Sequence, residues 1–227
     1  MSDPEGRKTV MDLVQDVTER IYPVGRLDYL SEGLLLMTND GELANNIIHP
    51  REGITKVYEV KVFGAVTPDI LKKLRGGYQS DVGFLKPKAV RVIKQLKAKT
   101  WLEFRLTDGK NREIRRLCEA YGLTVDKLKR VAIGGLTVEG ITPGGYRALS
   151  KKQLLNLIGI DREGTIISDV EYQSPKKSIN LRLKGPQNCT PADDKAFVKF
   201  RKDTYFQAIK DIDEKKVREA QEKRDAE

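Results

Sequence analysis

Hydrophobic and polar residues recur along the first part of the chain with two periods, which predict short strands and amphipathic helices. Residues 33–38, GLLLMT, form a continuous apolar run between a glycine and an Asn-Asp-Gly turn, which is typical of a strand buried on both faces. Asp40 stands where it can cap a helix that starts directly afterwards. Residues 55–64 alternate between apolar and polar side chains, so we expect a strand with one face toward a core.

Further segments complete the predicted domain. TPDILKKLRGG has a threonine cap, a proline at the first helical position and glycines at its end, so it predicts a helix. KAVRVIKQ and TWLEFRLTDG predict two antiparallel strands, and GKNREIRRLCEAYGL predicts an amphipathic helix. KRVAIGGLTVEG is strand-like, and SKKQLLNLIG predicts a short helix. This order indicates an α+β fold with a mixed, mostly antiparallel sheet flanked by helices.

The composition changes after about residue 160. Residues 161–227 begin with a turn-rich, weakly patterned stretch and end with a highly charged segment, which predicts a single helix from Phe197 onward. We therefore expect a folded domain over residues 1–160 and a C-terminal extension over residues 161–227 that is partly helical or disordered.

The charge balance points to a polyanionic partner. The chain has 42 lysines and arginines against 33 aspartates and glutamates, a net charge of +9. Residues 201–227 hold eight basic and eight acidic residues, so the whole excess belongs to the preceding part of the chain. Nucleic acid is the commonest partner for such an excess, and a well-solvated basic surface is the alternative.

Other features of the composition exclude several classes of protein. Two cysteines and one histidine supply neither a disulfide framework nor a zinc site of the usual spacing, so a reducing, cytoplasmic setting is expected. The longest apolar run is far shorter than the roughly 20 residues that cross a bilayer, and the N-terminus has no apolar signal region. We expect a protein that does not associate with membranes.

The first candidate for chemistry is Asp28, which follows Arg26 and Leu27 just before the buried strand. A carboxylate on a loop at the rim of a buried strand can be partly desolvated and still reach a ligand, as a nucleophile or general base must. An ordinary turn aspartate paired with Arg26 explains the same residues, and this local sequence alone favours that alternative.

The second candidate is Tyr58, an aromatic residue among valines in the strand KVYEVKV. Lys56 and Lys61 flank it, so the ring would suit stacking on a nucleobase beside cations that bind phosphate. Burial in the core is the commoner role of such a residue and the better interpretation of this segment by itself.

The third candidate is the segment DGKNREIRRLCEA, where a tight turn leads into a helix. The first two turns of this predicted helix hold Lys110, Asn111, Arg112, Arg115 and Arg116. Free backbone N–H groups and guanidinium groups together favour an anion site, and a solvated basic helix face is the alternative. Arg115 directly follows Ile114 on the apolar face, so its guanidinium can turn inward to a carboxylate.

A fourth and weaker feature is a run of cations with no acid among them. Its members are Lys86, Lys88, Arg91, Lys94, Lys97 and Lys99. Phosphate contact by this hairpin and simple solubility explain the run almost equally well.

Four motifs together resemble a known family. YPVGRLDYLSEGLLLMTNDGELANNIIHP, KVYEVKV, DGKNREIRRLCEAYG and LKRVAIGGLTV followed by PGGYRALS are similar, in order and spacing, to the catalytic domain of the RsuA/RluB branch of ribosomal RNA pseudouridine synthases. The similarity covers about residues 6–155 and implies the pseudouridine synthase fold. The S4-type RNA-binding domain usual at the N-terminus of this branch has no room ahead of Met1, so either the chain is truncated or the protein lacks that domain.

The resemblance also implies a role for individual residues. Asp28 falls on the family's catalytic aspartate, the nucleophile at C1′ of the target uridine. Tyr58 falls on the tyrosine that stacks on the uracil and assists proton removal, and Arg115 on the basic residue that pairs with the aspartate. Leu136 falls on the apolar residue that closes over the base. The residues expected to contact the substrate are Arg26, Leu27, Lys56, Lys110, Asn111, Arg112 and Arg116.

The chemistry implied by the resemblance fits the composition. Conversion of uridine to pseudouridine breaks the N1–C1′ bond, turns the uracil and rejoins it through C5, which requires a carboxylate, a stacking surface and a shielded pocket but no metal or cofactor. The expected partner is ribosomal RNA, preferably of the large subunit, or a ribosome-assembly intermediate, and the expected state is a monomer. A small-subunit enzyme and a catalytically silent RNA-binding or assembly module are the alternatives.

Overall fold

The computed structural model describes residues 9–48, 53–167, 170 and 172, and the backbone of one strand at residues 195–201. A short 3-10 helix, Val10–Leu13, precedes the sheet. The four helices are α1 (Gly41–Ile48), α2 (Pro68–Gly76), α3 (Glu113–Ala120) and α4 (Lys151–Ile158). The strands are β1 (Tyr22–Pro23), β2 (Glu32–Thr38), β3 (Lys56–Phe63), β4 (Tyr78–Ser80), β5 (Gly83–Leu85), β6 (Ala89–Gln95), β7 (Lys99–Leu106), β8 (Val125–Ile133), β9 (Leu136–Thr137), β10 (Tyr146–Ser150) and β11 (Lys195–Arg201).

Nine of these strands form one sheet, whose central order is β10-β11-β2-β8-β3-β7-β6. The β2–β8 pair is parallel and the other pairs are antiparallel. Strands β1 and β9 add to β2 and β8, and β4 pairs with β5 as a separate hairpin. The mixed, mostly antiparallel α+β architecture predicted from the sequence is confirmed.

Strand β2 is the best-predicted element, because every residue from Gly33 to Thr38 is buried. Gly33 allows the close approach of β2 to β8. Its φ is +114°, and a Cβ at this position would lie 2.1 Å from the carbonyl oxygen of Arg130. A side chain at position 33 would therefore push the two strands apart.

The predicted helix caps are present. Asp40 accepts a hydrogen bond of 2.9 Å from the backbone N–H of Leu43, and Lys151 lies 2.6 Å from the same carboxylate. These two contacts hold the pKa of Asp40 below its ordinary value. Thr67 accepts a hydrogen bond from the N–H of Ile70, which starts α2 at a proline.

The core lies in two main clusters. One joins α1 and α4 to β2, with members such as Leu34, Leu36, Ile47, Leu154 and Ile158. The other joins α2 and α3 to β3 and β7, with members such as Val60, Leu74, Leu102, Phe104 and Leu117. Among the described residues, no helix is long and apolar enough to span a membrane.

The C-terminal extension differs from the sequence prediction where it is described. The predicted helix starts at Phe197, but β11 covers these positions and pairs with both β2 and β10. The sheet supplies backbone hydrogen-bond partners on both sides, and these outweigh a weak local preference for a helix. The rest of the predicted helix, residues 202–227, lies outside the described residues.

Candidate active site

A cavity of about 460 Å³ opens where the loop before β2, the first residues of β3 and the loop before α3 meet. Its polar lining residues are Arg26, Asp28, Ser31, Lys56, Tyr58, Lys110, Asn111, Arg112, Glu113 and Arg130. Apolar residues of both core clusters, such as Ile47, Leu106 and Ile133, form the rest of the wall. The cavity is large enough for a nucleobase and its sugar.

Asp28 lies at the mouth of this cavity, in a turn just before β2. The backbone N–H of Ser31 donates a hydrogen bond of 2.9 Å to the carbonyl oxygen of Asp28 and closes the turn. Asp28 is partly exposed, whereas β2, which follows, is buried. The backbone of Asp28 is therefore held by the turn, and its side chain is partly open to a ligand.

Arg115 reaches the same turn from α3. It is only 5% exposed, and its guanidinium donates a hydrogen bond to the carbonyl oxygen of Leu30. The sequence predicts a direct pair with the Asp28 carboxylate, which stays a prediction. The described contact is with the backbone of the turn, and Arg115 is not among the residues lining the cavity.

Lys56, Tyr58 and Arg130 share one face of the sheet beneath the cavity. Lys56 and Tyr58 are two residues apart on β3, and Arg130 stands opposite Tyr58 on β8. The Lys56 ammonium donates to the carbonyl of Thr107 at 3.3 Å. Burial, together with the positive charge of Arg130, lowers the pKa of Lys56.

Tyr58 both packs against the core and lines the cavity, the two alternatives considered for it from the sequence. Its ring is partly buried and packs against the core cluster of β3 and α3, and the same residue lines the cavity. An aromatic ring held from behind by core residues and open in front is a stacking surface for a planar ligand.

The loop before α3 carries the next three predicted residues. The sequence predicts Lys110, Asn111 and Arg112 in the first helical turns, and this is wrong: α3 begins at Glu113, so all three precede the helix and line the cavity. The Lys110 ammonium donates to the carbonyl oxygen of Phe84 at 2.8 Å and pairs with Asp108 at 3.1 Å. Arg112 has φ +50°, the only positive φ among the described non-glycine residues. Such backbone strain is often found at functional loops.

Four further residues predicted to contact the substrate differ in their position relative to the cavity. Arg26 and Leu27 line the cavity mouth beside Asp28. Arg116 is not among the residues that line the cavity, and it pairs with Asp81. Leu136 is 1% exposed, packs into the core with α1 and α4 and is not among the residues that line the cavity, so its contact with the base stays a prediction.

Sequence reasoning missed three polar residues of the site: Ser31, Glu113 and Arg130. Each is nearly fully buried and has one polar atom without a hydrogen-bond partner among the described residues. Arg130 stands two residues after the buried Leu128, so strand alternation places both on one face. Glu113 stands four residues before the buried Leu117 on α3. These spacings indicate which face of its element each residue shares, but not what that face contacts.

The cavity is electropositive. Its lining holds five basic residues against two acidic ones, Asp28 and Glu113. Burial, followed by the nearby charge of Asp108, raises the pKa of Glu113. A small cavity with a cationic rim, a partly exposed carboxylate and an aromatic face suits a planar, anionic ligand such as a nucleotide.

The basic run on β6 and β7 contributes less to this site. Arg91 forms a hydrogen bond of 2.9 Å with the buried carboxylate of Glu103, and Lys99 forms one of 2.9 Å with Asp126. The turn between these strands lies at the far end of β3 and β7 from Lys56, because Lys99 pairs with Phe63. At 3.3 Å per residue the separation is about 23 Å.

Comparisons with known proteins give the family of the chain. Residues 6–120 match the family model described as RNA pseudouridylate synthase. The chain is 43% identical over 154 residues to an uncharacterized RNA pseudouridine synthase of Aquifex aeolicus, over 68% of this chain and 62% of the relative. It is 39% identical to the ribosomal large subunit pseudouridine synthase B of Bacillus subtilis, over 71% of this chain and 67% of the relative.

A further relative is the ribosomal large subunit pseudouridine synthase B of Haemophilus influenzae, which is 38% identical over 80% of this chain and 52% of the relative. The chain thus spans about half to two thirds of the length of these curated relatives.

The fold has a solved counterpart, a crystal structure of a pseudouridylate synthase. It superposes with a TM-score of 0.55 at 24% identity, over 60% of this chain and 59% of that chain. This likeness confirms the predicted pseudouridine synthase fold. With a family model that matches about half of its residues and relatives close to 40% identical, the chain belongs to the RNA pseudouridylate synthase family.

Proposed function

We propose that this protein converts a specific uridine of ribosomal RNA to pseudouridine, with Asp28 as the nucleophile. The observation that carries the proposal is that Asp28 and Tyr58 line the same electropositive cavity. Family membership supplies the reaction class, and the cavity supplies the parts that the reaction requires.

The reaction can be written with these parts. The Asp28 carboxylate attacks C1′ of the uridine, and the N1–C1′ bond breaks with its electron pair on the uracil. The uracil turns, C5 bonds to C1′, and the carboxylate leaves. C5 then loses its proton while N1 gains one, so the product is an isomer of the substrate. The reaction needs no other reactant.

Arg115 and Tyr58 have different roles in this proposal. Arg115 is a positioning residue, because it binds the backbone of the turn that carries Asp28. Tyr58 touches the substrate: its ring supports the uracil while the base is detached from the sugar, and its hydroxyl assists removal of the C5 proton.

The residues around the cavity can bind the RNA that surrounds the target uridine. A uridine in a folded RNA must leave its stack to reach a cavity of this size, and that costs unstacking energy. Arg26 and Leu27 lie beside Asp28, where they can contact the opened strand. Lys110 and Arg112, on the other side of the mouth, can contact phosphates.

The relatives named above favour large-subunit ribosomal RNA as the substrate, and the small subunit is the second choice. The alternative of a catalytically silent RNA-binding module is disfavoured by the intact pair of Asp28 and Tyr58. The monomeric state and the cytoplasmic location stay predictions. Gel filtration with light scattering tests the oligomeric state.

The deciding experiment uses ribosomal RNA that lacks pseudouridine, as free RNA and as precursor particles. The purified chain is incubated with each, and new pseudouridines are mapped by carbodiimide labelling and primer extension. Asp28→Asn is tested beside the wild type, with Asp69→Asn as the control, since Asp69 is an exposed aspartate of α2 outside the cavity.

We expect one new site, present with Asp69→Asn and absent with Asp28→Asn, while RNA affinity stays within about threefold. The mapped position identifies the subunit. Absence of any new site in RNA or particles would favour the binding-module alternative. A loss of RNA affinity parallel to the loss of activity would count against the nucleophile role of Asp28.

A further inference from the structure

Two buried polar atoms of opposite character lie in the cavity wall. Glu113 is 4% exposed and its Oε2 has no hydrogen-bond partner among the described residues. Arg130 is 5% exposed and its Nη2 likewise has none among them. Both residues line the cavity that Asp28 and Tyr58 line. Buried polar groups are nearly always paired, so such atoms in a cavity wall indicate a ligand that supplies their partners.

The side chain of Arg130 and the backbone of Glu113 are held in place by the fold. The Nε of Arg130 donates a hydrogen bond of 2.8 Å to the carbonyl oxygen of Leu34 in β2. Glu113 is the first residue of α3, and its backbone N–H donates to the carbonyl of Lys110 at 3.2 Å. The charges of both residues act on the ammonium of Lys56, which places the three groups near one another. The site is therefore built before a ligand arrives.

We propose that Glu113 and Arg130 recognise the uracil base, with Glu113 accepting a hydrogen bond from N3–H and Arg130 donating one to a neighbouring carbonyl oxygen. This inference rests on the proposed function and makes the two residues the determinants of base specificity. Uracil presents an acceptor, a donor and an acceptor along this edge, at O2, N3–H and O4. An unpaired acceptor and an unpaired donor in the wall of one cavity can complement two of these three groups.

The isomerisation itself explains why recognition at N3 is useful. The product is reached when the detached uracil turns by half a revolution about the axis through N3 and C6, which exchanges N1 with C5 and O2 with O4. N3–H lies on this axis and keeps its position. A contact from Glu113 to N3–H therefore exists before and after the turn, while Arg130 meets one carbonyl oxygen in the substrate and the other in the product.

The same contacts reject cytosine. Cytosine carries a lone pair at N3 and an amino group at C4, so it would place an acceptor against a Glu113 oxygen and a donor near Arg130. A site built to bind one pattern of donors and acceptors discriminates against an analogue that lacks it, because its buried groups are then left unpaired. Either protonation state of Glu113 keeps an acceptor oxygen.

The test uses mononucleotides, so it does not depend on knowing the target RNA or on turnover. Uridine 5′-monophosphate, 3-methyluridine 5′-monophosphate and cytidine 5′-monophosphate are titrated into the isotopically labelled full chain, and dissociation constants are read from NMR shifts of cavity residues. The variants are Glu113→Ala and Glu113→Gln. Glu59→Gln is the control, since Glu59 is a glutamate of β3 outside the cavity wall whose pKa burial also raises.

For the wild type we expect the N3-methyl group and the cytosine base each to weaken binding by about 10- to 100-fold, the range for one buried hydrogen bond lost. Glu113→Ala removes the acceptor and makes room for the methyl group, so the ratio between uridine and 3-methyluridine nucleotides should fall to within about threefold. Glu113→Gln retains an acceptor oxygen and should keep most of the discrimination. Glu59→Gln should match the wild type.

The proposal is overturned if the wild type binds all three nucleotides equally, if Glu113→Ala leaves the ratio unchanged, or if the uridine nucleotide shifts no cavity residue. If Glu113→Ala does not fold, the test uses the wild type and Glu113→Gln, for which the affinities for the uridine and 3-methyluridine nucleotides are compared. Selective uridine binding without new pseudouridine in ribosomal RNA would support base recognition and reject the isomerase proposal, so the two failures can be told apart.

Discussion

The guanidinium of Arg115, in α3, donates a hydrogen bond to the carbonyl oxygen of Leu30, in the turn that carries Asp28. The two residues are 85 positions apart in the sequence. This bond ties the helix of the third motif to the loop of the first. A residue outside the cavity wall thereby determines where the candidate nucleophile stands.

Arg115→Ala should lower both stability and activity. Loss of a buried, charged hydrogen-bond donor leaves the Leu30 carbonyl without this partner, which costs about 1.5 to 3 kcal/mol in the free energy of unfolding. The loosened turn should lower the pseudouridine formation rate by at least about tenfold, with a smaller change in RNA affinity. Urea unfolding and the mapping assay measure the two effects.

Arg116→Ala is the matched control for Arg115. Its guanidinium pairs with the exposed Asp81 on the surface, and such pairs contribute about 0 to 1 kcal/mol. A rate loss at Arg116 as large as that at Arg115 would mean that the basic character of the helix matters and not the bond to Leu30.

Gly33→Ala should separate β2 from β8. The new methyl group would lie 2.1 Å from the Arg130 carbonyl oxygen, and φ at this position is +114°. We expect a loss of more than about 3 kcal/mol in the free energy of unfolding, since overpacking and backbone strain act together. Thermal and urea denaturation measure it.

Gly76→Ala is the corresponding control, because this glycine lies in α2 and an added Cβ would meet nothing within 4 Å. Its stability should be unchanged or increase by up to about 1 kcal/mol. Equal effects of the two substitutions would show that the contact between β2 and β8 is not tight.

Glu113→Gln should stabilise the protein at neutral pH. Burial raises the pKa of Glu113 above its ordinary 4.5, so the native state binds this proton more tightly than the unfolded chain. The stability contributed by the protonated carboxyl is fully present below pH 4.5 and is lost as the pH rises through the native pKa. Glutamine, which does not ionise, avoids that loss.

Urea unfolding at pH 4 and pH 8 checks this dependence. The free energy of unfolding of Glu113→Gln should exceed that of the wild type at pH 8, and the two values should approach each other at pH 4. Glu59→Gln should behave in the same direction, because burial also raises the pKa of Glu59. If the difference in stability between the wild type and each variant is the same at pH 4 and pH 8, the burial argument is contradicted.

Cys118 should be unreactive in the native protein. Its side chain is 0% exposed in the core cluster of α3, and burial raises its thiol pKa to about 12. Iodoacetamide at pH 8 should therefore label it only as fast as the protein unfolds, and within minutes in guanidinium chloride. Mass spectrometry of the tryptic peptide holding Cys118 measures this separately from Cys189. Rapid labelling in the native state would place Cys118 outside the core.

The salt dependence of RNA binding should identify the cations at the mouth. Lys110→Ala combined with Arg112→Ala should reduce the slope of log affinity against log salt by about 1.4, which is about 0.7 for each lost phosphate contact with a single strand. Lys94→Ala combined with Lys97→Ala, at the distant turn between β6 and β7, should leave the slope unchanged. A reduced slope for the second pair would extend the RNA surface to that hairpin.

Much of the local structure follows from the sequence alone. The apolar run of β2 and the caps at Asp40 and Thr67 depend on residues close together in the chain, so pattern and capping preferences predict them correctly. The motifs also identify Asp28, Tyr58 and the loop from Lys110 to Arg112, and the structure places all of them on one cavity.

Tertiary structure alone decided how these parts are completed. Arg115 reaches the carbonyl oxygen of Leu30, Leu136 lies in the core, and β11 takes the place of a predicted helix. Glu113 and Arg130 become buried because α3 and β8 meet the turn before β2, and no local pattern states which elements will meet. The sequence therefore determines which charged groups the protein has, whereas the burial and the partners of each group depend on contacts between distant segments.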